Sequence, residues 1–226
     1  MTALIRPLEI RLGRCSALGI HKCDPGPGCP WATEACKRFC YAMNAISRWR
    51  NTQNRVSGRY YMIERIMEDE QRWERWRARH FRGLGAVRVA TRFEAFKGPA
   101  EVERIRSWLV GAPETRFWIP TRAWRNHEMR GLIESRIKTL PNARVQASLD
   151  KTTTGADFRM LRDWGWSTMG VWARSEDGSH PFNGSAHRCA KTWNGAHGAK
   201  ACAKCAGEGT GCFSAKRVDV LLRLHS

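Results

Sequence analysis

Short runs of alternating apolar and polar residues, each followed by a stretch with apolar positions three or four apart, recur along the chain. Period two marks a strand with one buried face, and a period near 3.6 marks a helix with an apolar stripe. The first strand expected is Leu8 to Leu12. A cysteine- and glycine-rich loop follows it, then helical sequence from about Thr33 to Arg50 and from about Arg55 to Phe81. Gly83 and Gly85 end that helix, and Val87 to Ala90 reads as the second strand. Gly98-Pro99 opens a helix with Val102, Ile105 and Leu109 on one face, closed by Gly111 and Pro113. Arg116 to Ile119 is the third strand. Asn126 caps a helix through Met129, Leu132, Ile133, Ile137 and Leu140, stopped by Pro141. Ala143 to Leu149 is the fourth strand, and Thr154 with Asp157 starts a helix through Leu161 that Gly165 ends. Thr168 to Ala173 and Val218 to Leu224 complete six strands.

Strands alternating with helices predict parallel βαβ units in an α/β fold. A doubly wound sheet would carry strands apolar on both faces. Here Glu9, Arg11, Arg88, Arg144, Gln146, Ser148, Asp219 and Arg223 occupy alternate strand positions. An antiparallel sheet with one wet face would alternate too, but the intervening helices argue against it. The pattern fits a partial (β/α)6 TIM-like barrel whose apolar side meets the helices and whose polar side lines a lumen. One domain spans residues 1–226, with cysteine-rich loops at about 13–40 and 187–213. Both loops follow strands, so both are expected at the C-terminal rim, where such barrels build their sites.

A chain of 226 residues with 42% hydrophobic residues and eleven tryptophans supports a packed core and excludes a disordered chain. No run of 18 apolar residues is present and Met1 to Glu9 lacks a signal peptide's apolar stretch, so the expectation is a cytosolic protein that crosses no membrane. Thiols stay reduced there, and nine cysteines then read as ligands before disulfides. The formal charge of +18 points to a polyanionic partner, nucleic acid first, through counterion release.

The cysteines fall into two groups: Cys15, Cys23, Cys29, Cys36 and Cys40, then Cys189, Cys202, Cys205 and Cys212. Cys202-Ala-Lys-Cys205 is a C-x-x-C pair able to put two thiolates on one metal or cluster face. Gly207, Gly209 and Gly211 let the chain fold back so that Cys212 can join, and a fourth ligand comes from elsewhere. The alternative, buried structural thiols, fits poorly where almost nothing large and apolar surrounds them. Cys36 and Cys40 share a helix face one turn apart; Cys15 and Cys23 lack matched spacing. Spacing alone leaves zinc and iron–sulfur both open. A zinc ribbon would use the C-terminal four, with His187 and His197 as substitutes.

Three features together carry a resemblance: Cys29-Pro30, Cys36 and Cys40-Tyr41-Ala42 after the first strand, Phe117 to Arg122 in the third, and Cys189, Cys202-x-x-Cys205 and Cys212-Phe213 before a strand ending in His225. The chain resembles the phage gene-product-eighty-eight-like family of small viral proteins. The resemblance implies a barrel distantly related to radical-SAM enzymes and a [4Fe-4S] cluster, in the host cytoplasm if the protein is viral. Its first ligand set is Cys40, Cys202, Cys205 and Cys212, with Cys29, Cys36 and Cys189 in reserve. Radical-SAM enzymes use C-x-x-x-C-x-x-C, whereas the nearest run here is Cys29-x6-Cys36-x3-Cys40, and no glycine-rich cofactor motif follows the second strand.

Three functions follow as expectations. One is a viral iron–sulfur barrel whose basic surface contacts nucleic acid. Another is a radical or redox enzyme with its substrate in the lumen, contacted by Arg122, Asp150 and Lys151 just past strand ends. The third is a zinc-ribbon adaptor without chemistry.

Overall fold

The computed structural model describes residues 13–15, 20–23, 28–38, 40, 65–66, 68–81, 84–90, 94–172, 182, 186–189, 205–206 and 208–223. The elements run β1 (Gly13–Cys15), β2 (Ile20–Cys23), α1 (Glu34–Arg38), α2 (Glu70–Phe81), β3 (Ala86–Val89), α3 (Pro99–Val110) and β4 (Arg116–Thr121). A 3-10 turn (Ala123–Arg125), α4 (His127–Arg136), β5 (Ala143–Leu149), α5 (Gly155–Asp163) and β6 (Ser167–Trp172) follow. Then come β7 (His187–Arg188), a second 3-10 turn (Gly211–Phe213) and β8 (Asp219–Arg223).

One sheet has the order β1-β2-β3-β4-β5-β6-β8-β7. Every pair from β2 to β8 is parallel, as is β7 with β8; only β1 runs antiparallel, on β2. The six-stranded parallel set expected from the sequence is present, but its first member is Ile20–Cys23. The strand expected at Leu8 to Leu12 lies outside the described residues, as do most of the helices expected between Thr33 and Arg65. The sheet is not closed.

The turn Gly211–Phe213 lies over one face of the sheet, against β4, β5 and β8.

The local signals behave as their chemistry requires. Pro99 opens α3, where its missing N–H costs no helical bond. Asn126 accepts from Met129 N to cap α4, and Thr154 and Asp157 form a reciprocal capping box on α5. Gly165, at φ +69°, closes α5: its N–H bonds Arg162 and that of Trp166 reaches back to Leu161. Val87, Val89, Phe117, Ile119, Val145, Ala147 and Leu149 pack against Ile105, Trp108, Leu109, Ile133, Ile137, Phe158 and Leu161 in the main core. Each such side chain contributes about 1.5–3 kcal/mol on burial. Asn142, itself buried, ties this layer by donating to the carbonyls of Leu109, Ala112 and Thr115 at 3.0, 3.0 and 3.2 Å.

The opposite face, under that turn, carries the polar strand positions. Arg88 and Arg144 are half-buried, and the Arg88 guanidinium lies 4.6 Å over the Trp118 ring. The face is not a wet lumen along its whole length. Phe213 stacks edge-on against Trp118, with centroids 5.8 Å apart, and Ala86, Met169, Ala206 and Val220 complete a second small core there. On β8 the expected polarity is therefore inverted: Val220 faces this core, while Asp219 meets Thr168 Oγ1 at 2.8 Å and Arg162 of α5 at 3.4 Å. Among the described residues, no helix is long and apolar enough to cross a membrane.

Candidate metal centre

A residue that directly follows a parallel strand emerges at one end of the sheet. Glu94 lies in the loop after β3, Arg122 directly follows β4 and Asp150 directly follows β5, so all three stand at the C-terminal rim. Ala90, just past β3, adopts a left-handed φ of 58°, a conformation rare outside glycine. Glu94 is buried. Its Oε1 accepts from Ala95 N, Phe96 N and Thr121 Oγ1, and its Oε2 from Arg122 N. Burial pushes its pKa above the usual carboxylate value despite those bonds and the Arg122 charge.

The segment carrying the first cysteines is fastened onto this rim at three points. Glu94 N donates to Gly28 O at 3.2 Å, and Trp31 Nε1 donates to Phe96 O at 2.6 Å. Thr33 Oγ1 donates to Asp150 Oδ2 at 2.7 Å. The same hydroxyl accepts from Cys36 N at 3.0 Å, which caps α1 and fixes where Cys36 stands. Asp150 also receives Thr152 Oγ1 at 2.6 Å and Thr152 N at 3.0 Å, with Arg122 Nε at 3.4 Å and Arg125 Nη2 at 3.8 Å. Burial would raise this carboxyl, but the bonds from Thr152 and Thr33 and the Arg122 charge outweigh it, and the pKa falls below the usual value.

Cys29, Cys36 and Cys40 all lie on this fastened segment. Cys29 is exposed as a residue, yet the protein atoms crowding its thiol push its pKa up to about 11. The charges of Glu94, Cys36 and Cys40 add to that rise. Burial likewise raises Cys36; Arg122 opposes the rise, while Cys40, Asp150 and Glu94 reinforce it. The three thiols thus lie within one another's electrostatic field, facing an arginine and two carboxylates.

The C-terminal cysteines lie elsewhere. The sequence reading put both cysteine loops at one rim, but a chain entering a parallel strand must first return to the sheet's N-terminal end. Residues 205–217 make that return ahead of β8. Cys189, Cys205 and Cys212 are half-buried against the small core of Trp118, Met169, Phe213 and Val220. Cys212 lines a cavity with Ala143, Arg144 and Ser167, at the starts of β5 and β6. From Arg144 to Asp150 the strand runs six residues, about 20 Å. Of the first expected set, Cys40 is therefore at one end of the sheet and Cys205 and Cys212 toward the other, while Cys202 lies outside the described residues. His187 and Cys205 crowd Gly211 from two sides: a side-chain carbon there would stand 3.0 Å from His187 Nε2 and 3.6 Å from Cys205 Sγ. His197 lies outside the described residues. Among the described residues, no group of three or more His, Cys, Asp and Glu side chains stands arranged to hold a metal ion.

Of the residues expected to contact a substrate, Arg122 and Asp150 form an ion pair at the rim, and Lys151 is exposed beside them. Sequence reasoning missed Glu94 and Thr33. Glu94 carried one usable signal, its place in the loop after a strand; Thr33 carried the capping spacing to Cys36.

The model of the family described as Gene product 88 matches residues 17–217. The chain belongs to that family. No curated protein and no solved structure matches it. The match spans every cysteine but Cys15, β2 through β7, and the turn Gly211–Phe213, so family membership covers the rim and the face under that turn alike.

Proposed function

We propose that this Gene product 88 family protein holds an iron–sulfur cluster at the C-terminal rim through Cys29, Cys36 and Cys40. The observation that carries the reading is that one short segment, fastened to the ends of β3 and β5, carries all three thiols. Thiolates are the ligands such clusters take, and a donor set from one short segment needs no distant loop to close. A cluster bound there would supply one-electron chemistry or a covalent clamp on the N-terminal segment. The chain's own residues do the rest. Arg122 provides positive charge that favours the thiolate of Cys36. Thr33 and Asp150 fix the helix bearing Cys36, and Glu94 anchors the loop beneath Cys29 through its backbone N–H. Three cysteines leave one position of a cubane for a ligand that is not a cysteine of this segment.

A second reading rests on a separate observation, the packing of His187, Cys189, Cys205 and Cys212 around Gly211 and Phe213. Cysteine and histidine together are zinc's ligands, so the two cysteine groups would serve two metals.

Anaerobic purification followed by iron, acid-labile sulfide and zinc analysis of serine variants tests both. Cys29→Ser, Cys36→Ser and Cys40→Ser are each expected to lose iron and brown colour, while Cys205→Ser and Cys212→Ser keep them. Iron lost with Cys205→Ser and retained in Cys36→Ser would move the site to the other end of the sheet. A protein containing zinc and no iron would end the cluster reading.

A further inference from the structure

The end of the sheet opposite the cysteine trio holds a cavity of about 320 Å³ between the starts of β5 and β6 and the chain that leads into β8. Lys138, Arg144, Lys216 and Arg217 line it, and among the described residues no carboxylate does. Lys216 and Arg217 are exposed at its mouth. Lys138 lies with its ammonium 4.6 Å from the Trp166 ring. The nearby Glu134 accepts the Trp166 indole N–H at 2.6 Å. Arg144 spends Nη1 on the carbonyls of Pro141 and Ala143, at 2.6 and 2.8 Å, and its Nε has no partner. Its charged neighbour is Arg116, a like charge.

Gln146 supplies the independent observation. It is 1% exposed and lines the cavity. Trp118 Nε1 donates to Gln146 Oε1 at 2.8 Å. An indole N–H can only donate, so this bond fixes which end of the amide is oxygen. The amide nitrogen is thereby turned to donate, and it is buried without a partner. A buried donor left unmade is costly. A cavity with four cations and no acid among its described lining residues fits an anion.

We propose that this cavity binds a phosphate group, with Lys138, Arg144, Lys216 and Arg217 around it and the unpartnered Gln146 amide buried behind its wall. Ser167 and Ser214 hydroxyls line the same space and add acceptor-matching donors. The phosphate can belong to a monoester or to a nucleic-acid backbone, and a net charge of +18 favours either over a neutral ligand. The site is independent of the cysteine trio, so it stands whether or not iron binds.

The test uses the full chain. Thermal stabilisation and isothermal titration are measured with inorganic phosphate against acetate at matched ionic strength, then with short single-stranded oligonucleotides with and without a 5′-phosphate. Phosphate is expected to stabilise beyond acetate. Lys138→Met, which keeps the stem over Trp166, and the double variant Lys216→Ala/Arg217→Ala are each expected to bind roughly tenfold more weakly. Without ligand, Lys138→Met should keep its melting temperature, and the double variant, which loses the exposed bond from Arg217 Nη1 to Arg162 O at 3.0 Å, should melt no more than a few degrees lower. A preference for the 5′-phosphorylated oligonucleotide identifies a monoester, and equal binding of both oligonucleotides, weakened by the same variants, identifies the backbone. Phosphate that stabilises no more than acetate, or binding untouched by both variants, overturns the proposal.

Discussion

Replacing Glu94 by glutamine changes one atom of a buried carboxylate, and the hydrogen-bond map says which contact breaks. The carboxylate takes three donors on Oε1 and one on Oε2. The glutamine carbonyl can replace Oε1 and keep its three. Its NH₂ must then face Arg122 N, donor against donor. One charge-assisted bond is lost and a partly buried N–H is stranded, together about 1–3 kcal/mol. Relief from burying a charge offsets part of this. A net loss of roughly 1–2 kcal/mol is expected at pH 7, seen as a melting temperature lower by roughly 2–8 °C for a chain of this size.

The pH dependence is the sharper reading. Burial holds the folded pKa of Glu94 above its ordinary 4.5. The folded state therefore binds this proton more tightly than the unfolded state. The stability it contributes is fully present below 4.5 and is lost as pH rises through the folded value. Glu94→Gln lacks the term. The gap between wild type and variant, followed by urea unfolding between pH 7 and pH 4.5, should widen as pH falls. A gap that narrows would mean that the four hydrogen bonds win over burial and that the carboxylate is the favoured form. An absent gap at pH 7 would refute the hydrogen-bond map itself.

Asn142→Ala removes a donor shared by three carbonyls in the main core and should cost roughly 2–3 kcal/mol, read as a lower urea midpoint at unchanged slope. Gly211→Ala meets a φ of +51° and the imidazole of His187; the exposed ring can swing away, so the backbone strain remains, about 1–2 kcal/mol of destabilisation by calorimetry. Gly131→Ala is its converse: nothing stands within 4 Å in the middle of α4, and the variant should gain up to about 1 kcal/mol in the same measurement.

What was legible in the sequence was what local chemistry decides. Asn126, Thr154 with Asp157, Pro99 and Gly165 mark their helix ends because capping involves residues within a turn of one another. The strand at Ala143 to Leu149 was read to the residue, since its alternation spans the whole strand. The β1–β2 hairpin was missed: Gly13–Cys15 and Ile20–Cys23 are too short to show a period, and the sheet supplies their conformation. Asp219 was assigned to the lumen by parity with Arg223. Its partner Thr168, on the neighbouring strand, and Arg162, one helix away, are invisible to any local window. The cysteine groups were put on one rim because each follows a strand in sequence. Residues 205–217 also precede a strand, and in a parallel sheet that fact decides where they go.

Parallel connectivity also sorts the charges. Whatever directly follows β3, β4 or β5 is delivered to one end, and there the chain carries Glu94, Asp150 and Arg122 with three thiols. Whatever precedes β5, β6 or β8 is delivered to the other, and there it carries Lys138, Arg144, Lys216 and Arg217, with no acid among the described residues that line the cavity. The two ends therefore differ in chemistry. Thiols with Glu94 and an Asp150 paired to Arg122 and Arg125 stand at one, and four cations stand at the other. About 20 Å of strand and the packed Trp118–Phe213 core lie between them. Direct electrostatic interaction between the ends is correspondingly weak, since the separation is about twice the screening length at 0.1 M salt. Any coupling of metal content to phosphate binding would then travel through the strands themselves, and Trp118 is placed to carry it: its indole N–H orients Gln146 beside the basic cavity, while its strand leads to Thr121 and Arg122, which hold Glu94 at the other end.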